Sequence, residues 1–236
     1  MNPLLSIITV SWLAGAAAFL GGLIASLERS GESETKCRII HGVIAFGGGT
    51  LLAAISFALL PESMAVLSPL SLAVSFSLGG ALFCLLDALL SRHGGPKAQF
   101  MAMLMDFIPE AISLGAVFGH DRRLGLLLAA FIGAQNLPEG FNSFREMRAS
   151  RIRSGTVLTV LLMVSLAGPA AACIGHFFLQ ERPQLTGAIM TFASGGILYL
   201  IFQDIAPQAR MRRHWTPPLG AVLGFLVGML GNVLIQ

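Results

Sequence analysis

The chain has 236 residues, 55% hydrophobic and 11% charged, with a mean hydropathy of +0.77. Soluble domains carry about 25% charged residues, so charge this sparse cannot cover a water-facing surface, and lipid must be the solvent for most of the chain. The formal net charge of +3 says little by itself; its placement, below, says more.

A membrane-spanning helix needs roughly 20 apolar residues at ~1.5 Å rise each, and eight runs qualify. The first, Leu4–Leu27, has no basic segment before it and reads as a span with its N-terminus outside rather than a cleaved leader. The longest loop, Glu28–Arg38, follows. The second run, Ile39–Leu60, holds Gly47, Gly48 and Gly49 and ends on Pro61-Glu62. The third, Leu70–Leu90, holds Cys84 and Asp87. The fourth, Phe100–Phe118, and the fifth, Leu124–Phe141, share a short repeat: Asp106-Phe-Ile-Pro-Glu110 recurs as Gln135-Asn-Leu-Pro-Glu139. The sixth, Val157–Phe178, places Cys173 and His176 at i, i+3; the two are read as packing residues. The seventh, Leu185–Ile205, carries Asp204 with Pro207 beyond it. The eighth, Pro218–Ile235, bears Gly220, Gly224 and Gly228, a small-residue stripe that suits either bundle packing or a homodimer.

These runs define an all-α polytopic membrane protein, an eight-helix bundle forming one domain over residues 1–236. Period-2 alternation is absent, so a β-barrel is not indicated. Three scattered cysteines, Cys37, Cys84 and Cys173, set up no disulfide framework. Of the fifteen Lys and Arg, twelve fall in the loops after helices one, three, five and seven. Among them are Arg29 and Lys36; Arg92 and Lys97; Arg145 and Arg148; and Arg210 and Arg213. The positive-inside rule puts those loops in the cytoplasm and both termini on the other side of the inner membrane. Topology thus accounts for the basic clusters, and no nucleic-acid partner is read from them.

The informative residues are the intramembrane carboxylates Asp106, Glu110, Glu139 and Asp204; Glu62 and Asp87 lie nearer helix ends. A charge at bilayer centre costs at least ~2.5–3.5 kcal/mol on insertion scales, so such groups face the bundle interior and find partners. No Lys or Arg lies inside a span to pair with them, which leaves protons or a bound cation as the source of positive charge. Carboxylate and amide oxygens are natural ligands of divalent metals. Asp106 and Glu110 are i, i+4 on one helical face, and Gln135 and Glu139 repeat the arrangement. Pro109, Pro138 and Pro207 each lack the N–H that would bond the carbonyl four residues back, which predicts kinks and freed carbonyls. An intramembrane hydrolase built on these carboxylates, and a proton-coupled carrier of another solute, are the alternatives.

Helices four and five resemble the paired signature of the ZIP (Zrt/Irt-like) metal transporters. Gln135-Asn136-Leu137-Pro138-Glu139-Gly140 is similar to the form found in the bacterial GufA-like branch. The stretches from Phe46 to Glu62 and from Gly195 to Pro207 also look like their ZIP counterparts. The resemblance implies transport of a divalent cation, bound as substrate rather than as cofactor, through a binuclear site between helices four and five. Asp106, Glu110, Gln135 and Glu139 would form one subsite, and Glu110, Asn136, Glu139 and Asp204 the other. Helix four departs from the pattern: Asp106 stands where the family has His, Phe107 where it has Asn, and Ala111 where it has Gly. An all-oxygen shell shifts preference from Zn²⁺ toward harder ions such as Mn²⁺, with Fe²⁺ and Cd²⁺ also candidates. Phe107 cannot ligate, which weakens the second subsite.

Overall fold

The computed structural model describes residues 3–28, 33–93, 96–212 and 214–235, without the side chains of residues 90–102 and 235. Arg29 and Arg213 lie outside the described residues, as do the side chains of Arg92 and Lys97. Among the described residues there are eight helices and no strand. They are α1 (Pro3–Leu27), α2 (Glu34–Val66), α3 (Pro69–His93), α4 (Pro96–Phe118), α5 (Arg122–Ala149), α6 (Ser154–Leu179), α7 (Pro183–Ala209) and α8 (Thr216–Ile235). Six of them are long and apolar enough to cross a membrane; α4 and α5, which carry the paired carboxylates, are the other two. The protein is an all-α, multi-pass membrane protein.

Helix starts follow local chemistry. Proline, whose missing N–H is tolerated in a first turn, opens α1, α3, α4 and α7. Ser33 caps α2 by accepting the Lys36 N–H at 3.2 Å, so the helix begins at Glu34, five residues ahead of the apolar run. Asp121 caps α5 in the same way at Leu124 N (2.9 Å). Helix α5 continues past Phe141 to Ala149, because nothing breaks it before Arg151, whose backbone is left-handed at φ 65°. That extension adds Asn142 and Glu146 to the face that carries Glu139.

Helices α2 and α7 each contain one widened, five-residue π turn just before a proline: Ile55–Leu59 ahead of Pro61, and Ile201–Ile205 ahead of Pro207. Proline cannot donate to the carbonyl four residues back. The preceding amide reaches five back instead, Leu60 to Ile55 and Ala206 to Ile201. The chain thus stays helical while its register shifts, a common device at functional sites.

The bundle is held by reciprocal glycine crossings. In a bilayer, helices gain little from apolar burial and associate through close van der Waals packing of small residues. Gly21 of α1 sits on the Leu137 carbonyl of α5, and Gly140 of α5 sits on the Ala18 carbonyl of α1. Gly115 and Gly175 make the same exchange between α4 and α6, Gly79 and Gly195 between α3 and α7, and Gly49 and Gly224 between α2 and α8. A Cβ at any of these eight positions would collide with backbone. Gly220 and Gly228 also face α2, so the α8 stripe is used within the chain and supplies no reason for a homodimer. Half of α5 and most of the described side chains of α4 are buried, whereas α3 and α8 turn rows such as Leu78, Leu82 and Leu85, or Val222, Leu226 and Leu230, outward toward lipid.

Candidate metal site

Asp106 and Glu110 on α4 meet Gln135 and Glu139 on α5, as their matching i, i+4 spacing requires. Asp106, Glu110 and Gln135 are only 4%, 1% and 0% exposed, while Glu139 and Asp204 are partly buried. Gln135 Nε2 donates to Glu110 Oε2 at 2.6 Å. The carboxyl groups of Asp106 and Glu139 lie within hydrogen-bonding reach of each other, and Asp106 Oδ1 accepts the Phe107 N–H at 2.8 Å. Two acceptors are left over: among the described residues, Gln135 Oε1 and Glu139 Oε2 are buried and find no donor. Each ion pair among the described residues lies elsewhere, joining Lys36 and Arg145 to Glu28 and Arg38 to Glu34. Unpaired buried oxygens are costly, and a cation is a partner that would satisfy several at once.

Beside these residues is a cavity of about 60 Å³, room for a few waters or a partly hydrated ion. Its polar lining is Asp106, Glu139, Asn142, Ser143, Asp204 and Gln208. Asp204 reaches it from the π turn of α7. Gly47 of α2 leaves space for the Pro138 ring, since a Cβ there would stand 2.9 Å from its Cγ.

The structure pairs Gln135 with Glu110 and sets Asp106, Glu139 and Asp204 on the wall of the adjoining cavity, which Glu110 and Gln135 do not line. It does not bring in Asn136, which is 2% exposed and donates Nδ2 to the Ala14 carbonyl of α1 at 3.1 Å. Among the described residues no three His, Cys, Asp or Glu side chains converge as a ready metal cluster, so any shell here depends on the amide of Gln135. Phe107 does not face the cavity. Its ring is keyed between α1 and α6, where a Cβ on Gly15 or Gly168 would stand 2.8 or 2.7 Å from Cζ. Cys173 and His176 form no cluster, and the His176 ring packs on Phe177. Asp87 accepts the Tyr199 hydroxyl at 2.9 Å, and Glu62 is exposed.

Three polar lining residues, Asn142, Ser143 and Gln208, are not singled out by the sequence. Asn142 donates Nδ2 to Gln208 Oε1 (2.6 Å) and to Glu146 Oε1 (3.0 Å), tying α5 to α7 at the cavity rim. The Gln208 carbonyl is met by His41 Nδ1 of α2 at 2.8 Å. The i, i+3, i+7 spacing of Glu139, Asn142 and Glu146 was the available signal.

Fold and site together define a multi-pass membrane protein that holds a carboxylate-and-amide cluster between two proline-bearing central helices. No family model matches the chain. It is similar to the zinc transporter GufA of Myxococcus xanthus, 26% identical over 58% of this chain and 57% of that protein. It is also similar to the zinc transporter ZupT of Corynebacterium efficiens, 25% identical over 93% of both chains. A third relative is the zinc transporter ZIPB of Bordetella bronchiseptica, 25% identical over 92% of this chain and 78% of that one. The chain thus spans little more than half of the GufA relative and most of the other two. The ZIP resemblance seen in helices four and five therefore extends over most of the chain, and all three relatives are named as transporters rather than enzymes.

Proposed function

We propose that this protein carries a divalent metal cation across the inner membrane into the cytoplasm, binding it between α4 and α5 through Asp106, Glu110, Gln135 and Glu139, with Asp204 as the next oxygen on its path. The observation that carries this reading is the pair of buried acceptors without donors, Gln135 Oε1 and Glu139 Oε2, beside two further carboxylates. The relatives named as zinc transporters support the class of substrate. The oxygen-only shell favours Mn²⁺ over Zn²⁺ more than a shell with imidazole would. Asn136 serves the fold by anchoring α5 to α1.

The cavity lies toward the end of the bundle that carries Arg145, Arg148 and Arg210, the cytoplasmic end by the positive-inside rule. An inside-negative potential of 100 mV favours inward movement of a divalent ion by ~4.6 kcal/mol, twice the ~2.3 per charge. The small cavity argues against an organic solute. All eight helices act as one transport unit, with one bundle of helices moving against another.

The test is uptake into proteoliposomes of Mn²⁺, Zn²⁺, Fe²⁺, Co²⁺ and Cd²⁺ in turn, against empty liposomes. Accumulation of at least one ion above the control supports the reading, and none above it overturns it.

A further inference from the structure

A second cavity lies on the lipid-facing side of the bundle, behind the metal site. It has a volume of about 660 Å³, an order of magnitude larger than the metal cavity, and is walled by α2, α7 and α8. Gly48, Gly49 and Leu52 line it on α2, Ile201 and Ile205 on the π turn of α7, and Phe225 on α8. At its mouth the character changes. Arg210 and His214 line the rim, and Arg212 lies in the same segment. Among the described residues neither arginine is ion-paired with a carboxylate. His214 Nδ1 accepts the Thr216 N–H at 3.2 Å and lies 2.8 Å from the Thr216 hydroxyl, which leaves the ring's other nitrogen for a ligand. Trp215 stacks on His214 with ring centroids 5.6 Å apart and is 68% exposed, the setting of an aromatic anchor at headgroup depth.

We propose that this cleft is a binding site for an anionic phospholipid, an acyl chain lying against α2, α7 and α8 and the phosphate held by Arg210, Arg212 and His214. Basic pockets between membrane helices select anionic headgroups in this way. The apolar walls are within the bilayer, where lipid is the only solvent, and the cationic rim decides which lipid stays. Ile205 lines both this cleft and the metal cavity. A lipid seated here therefore braces the turn that carries Asp204.

The probe is Trp215 fluorescence in a Trp12→Phe background, since Trp12 and Trp215 are the two tryptophans of the chain. The protein is reconstituted in phosphatidylcholine vesicles with a minor fraction of phospholipid brominated on its acyl chains, either phosphatidylglycerol or phosphatidylcholine. Brominated phosphatidylglycerol should quench Trp215 as though enriched about fivefold or more over its bulk fraction, and brominated phosphatidylcholine only at its bulk fraction. Arg210→Gln with Arg212→Gln should remove the enrichment. So should Ala206→Phe, which fills the cleft and keeps the charges. Equal quenching by the two lipids in the parent protein overturns the proposal without any variant. Enrichment that survives Ala206→Phe also overturns it, because charge alone would then hold the lipid outside the cleft. Melting temperatures of the variants near the parent's establish that a lost enrichment is local.

Discussion

Gln135 gives its side-chain amide hydrogen to Glu110 across 2.6 Å and keeps its own Oε1 buried with no donor. The contact joins the two halves of a sequence repeat, since Gln135 stands in α5 where Asp106 stands in α4. An amide here donates to a neighbouring carboxylate and still offers an oxygen to a cation, which a second carboxylate would do only with added charge.

The shared glutamates are the first test. Glu110→Gln and Glu139→Gln each remove a negative charge from the group that must offset a desolvated cation. Uptake should fall about tenfold or more in either variant, the scale of a hydrogen-bonding charged group at ~1.5–3 kcal/mol. Folding should persist, because a neutral amide costs less in the membrane. Radiotracer flux per folded protein decides the matter, and near-parental flux in both variants would remove this pair from the site.

Phe107 supplies a second test, and here the structure changes the expectation. Placed where the family has a metal-binding Asn, Phe107 invites the idea that Phe107→Asn would rebuild a subsite. Its ring instead fills the gap above Gly15 and Gly168 and is 1% exposed. Phe107→Ala should cost about 3 kcal/mol, the lower end for a buried Phe, because in a bilayer the packing loss is the main component. Phe107→Asn should destabilise similarly without raising metal occupancy. Thermal unfolding in detergent, with metal binding by calorimetry, checks both halves.

The spans and the pairing of α4 with α5 were readable because they depend on run length and i, i+4 spacing, which are local properties. Features set by a neighbouring helix were not. Nothing in the spacing directs Asn136 toward the Ala14 carbonyl rather than toward Glu110. Pro61 and Pro207 announce a disturbance, yet a kink and a π turn satisfy the missing bond equally well until packing chooses. Arg145, Glu146 and Arg148 read as loop because they are charged, whereas α5 simply continues into the polar interface. Asn142, the first residue past the apolar run that ends at Phe141, belongs to the same continuation.

Topology follows from charge placement and is open to a direct experiment. With Cys37, Cys84 and Cys173 replaced by Ser, a cysteine at Gln180 should react with an impermeant maleimide in intact spheroplasts. One at Ser150 should react only after permeabilisation. The reverse pattern would place both termini in the cytoplasm and turn the proposed direction of transport around.

The most discriminating variant is Asp106→His. Asp106 lines the cavity, lies within hydrogen-bonding reach of Glu139 and is 4% exposed. A side chain at that position therefore meets whatever occupies the cavity. Imidazole nitrogen suits Zn²⁺, whereas carboxylate oxygen suits Mn²⁺. The substitution also removes one negative charge, which weakens binding of every divalent ion to a similar extent. The two effects separate in a ratio: total uptake falls, while the Zn²⁺:Mn²⁺ uptake ratio rises above the parent's. Histidine is bulkier than aspartate, so poor folding would lower both fluxes together and leave the ratio untouched. Asp106→Asn is the control, losing the charge without gaining a nitrogen ligand, and its ratio should stay at the parental value. A ratio unchanged in well-folded Asp106→His, measured across several metals, would mean that Asp106 does not touch the transported ion.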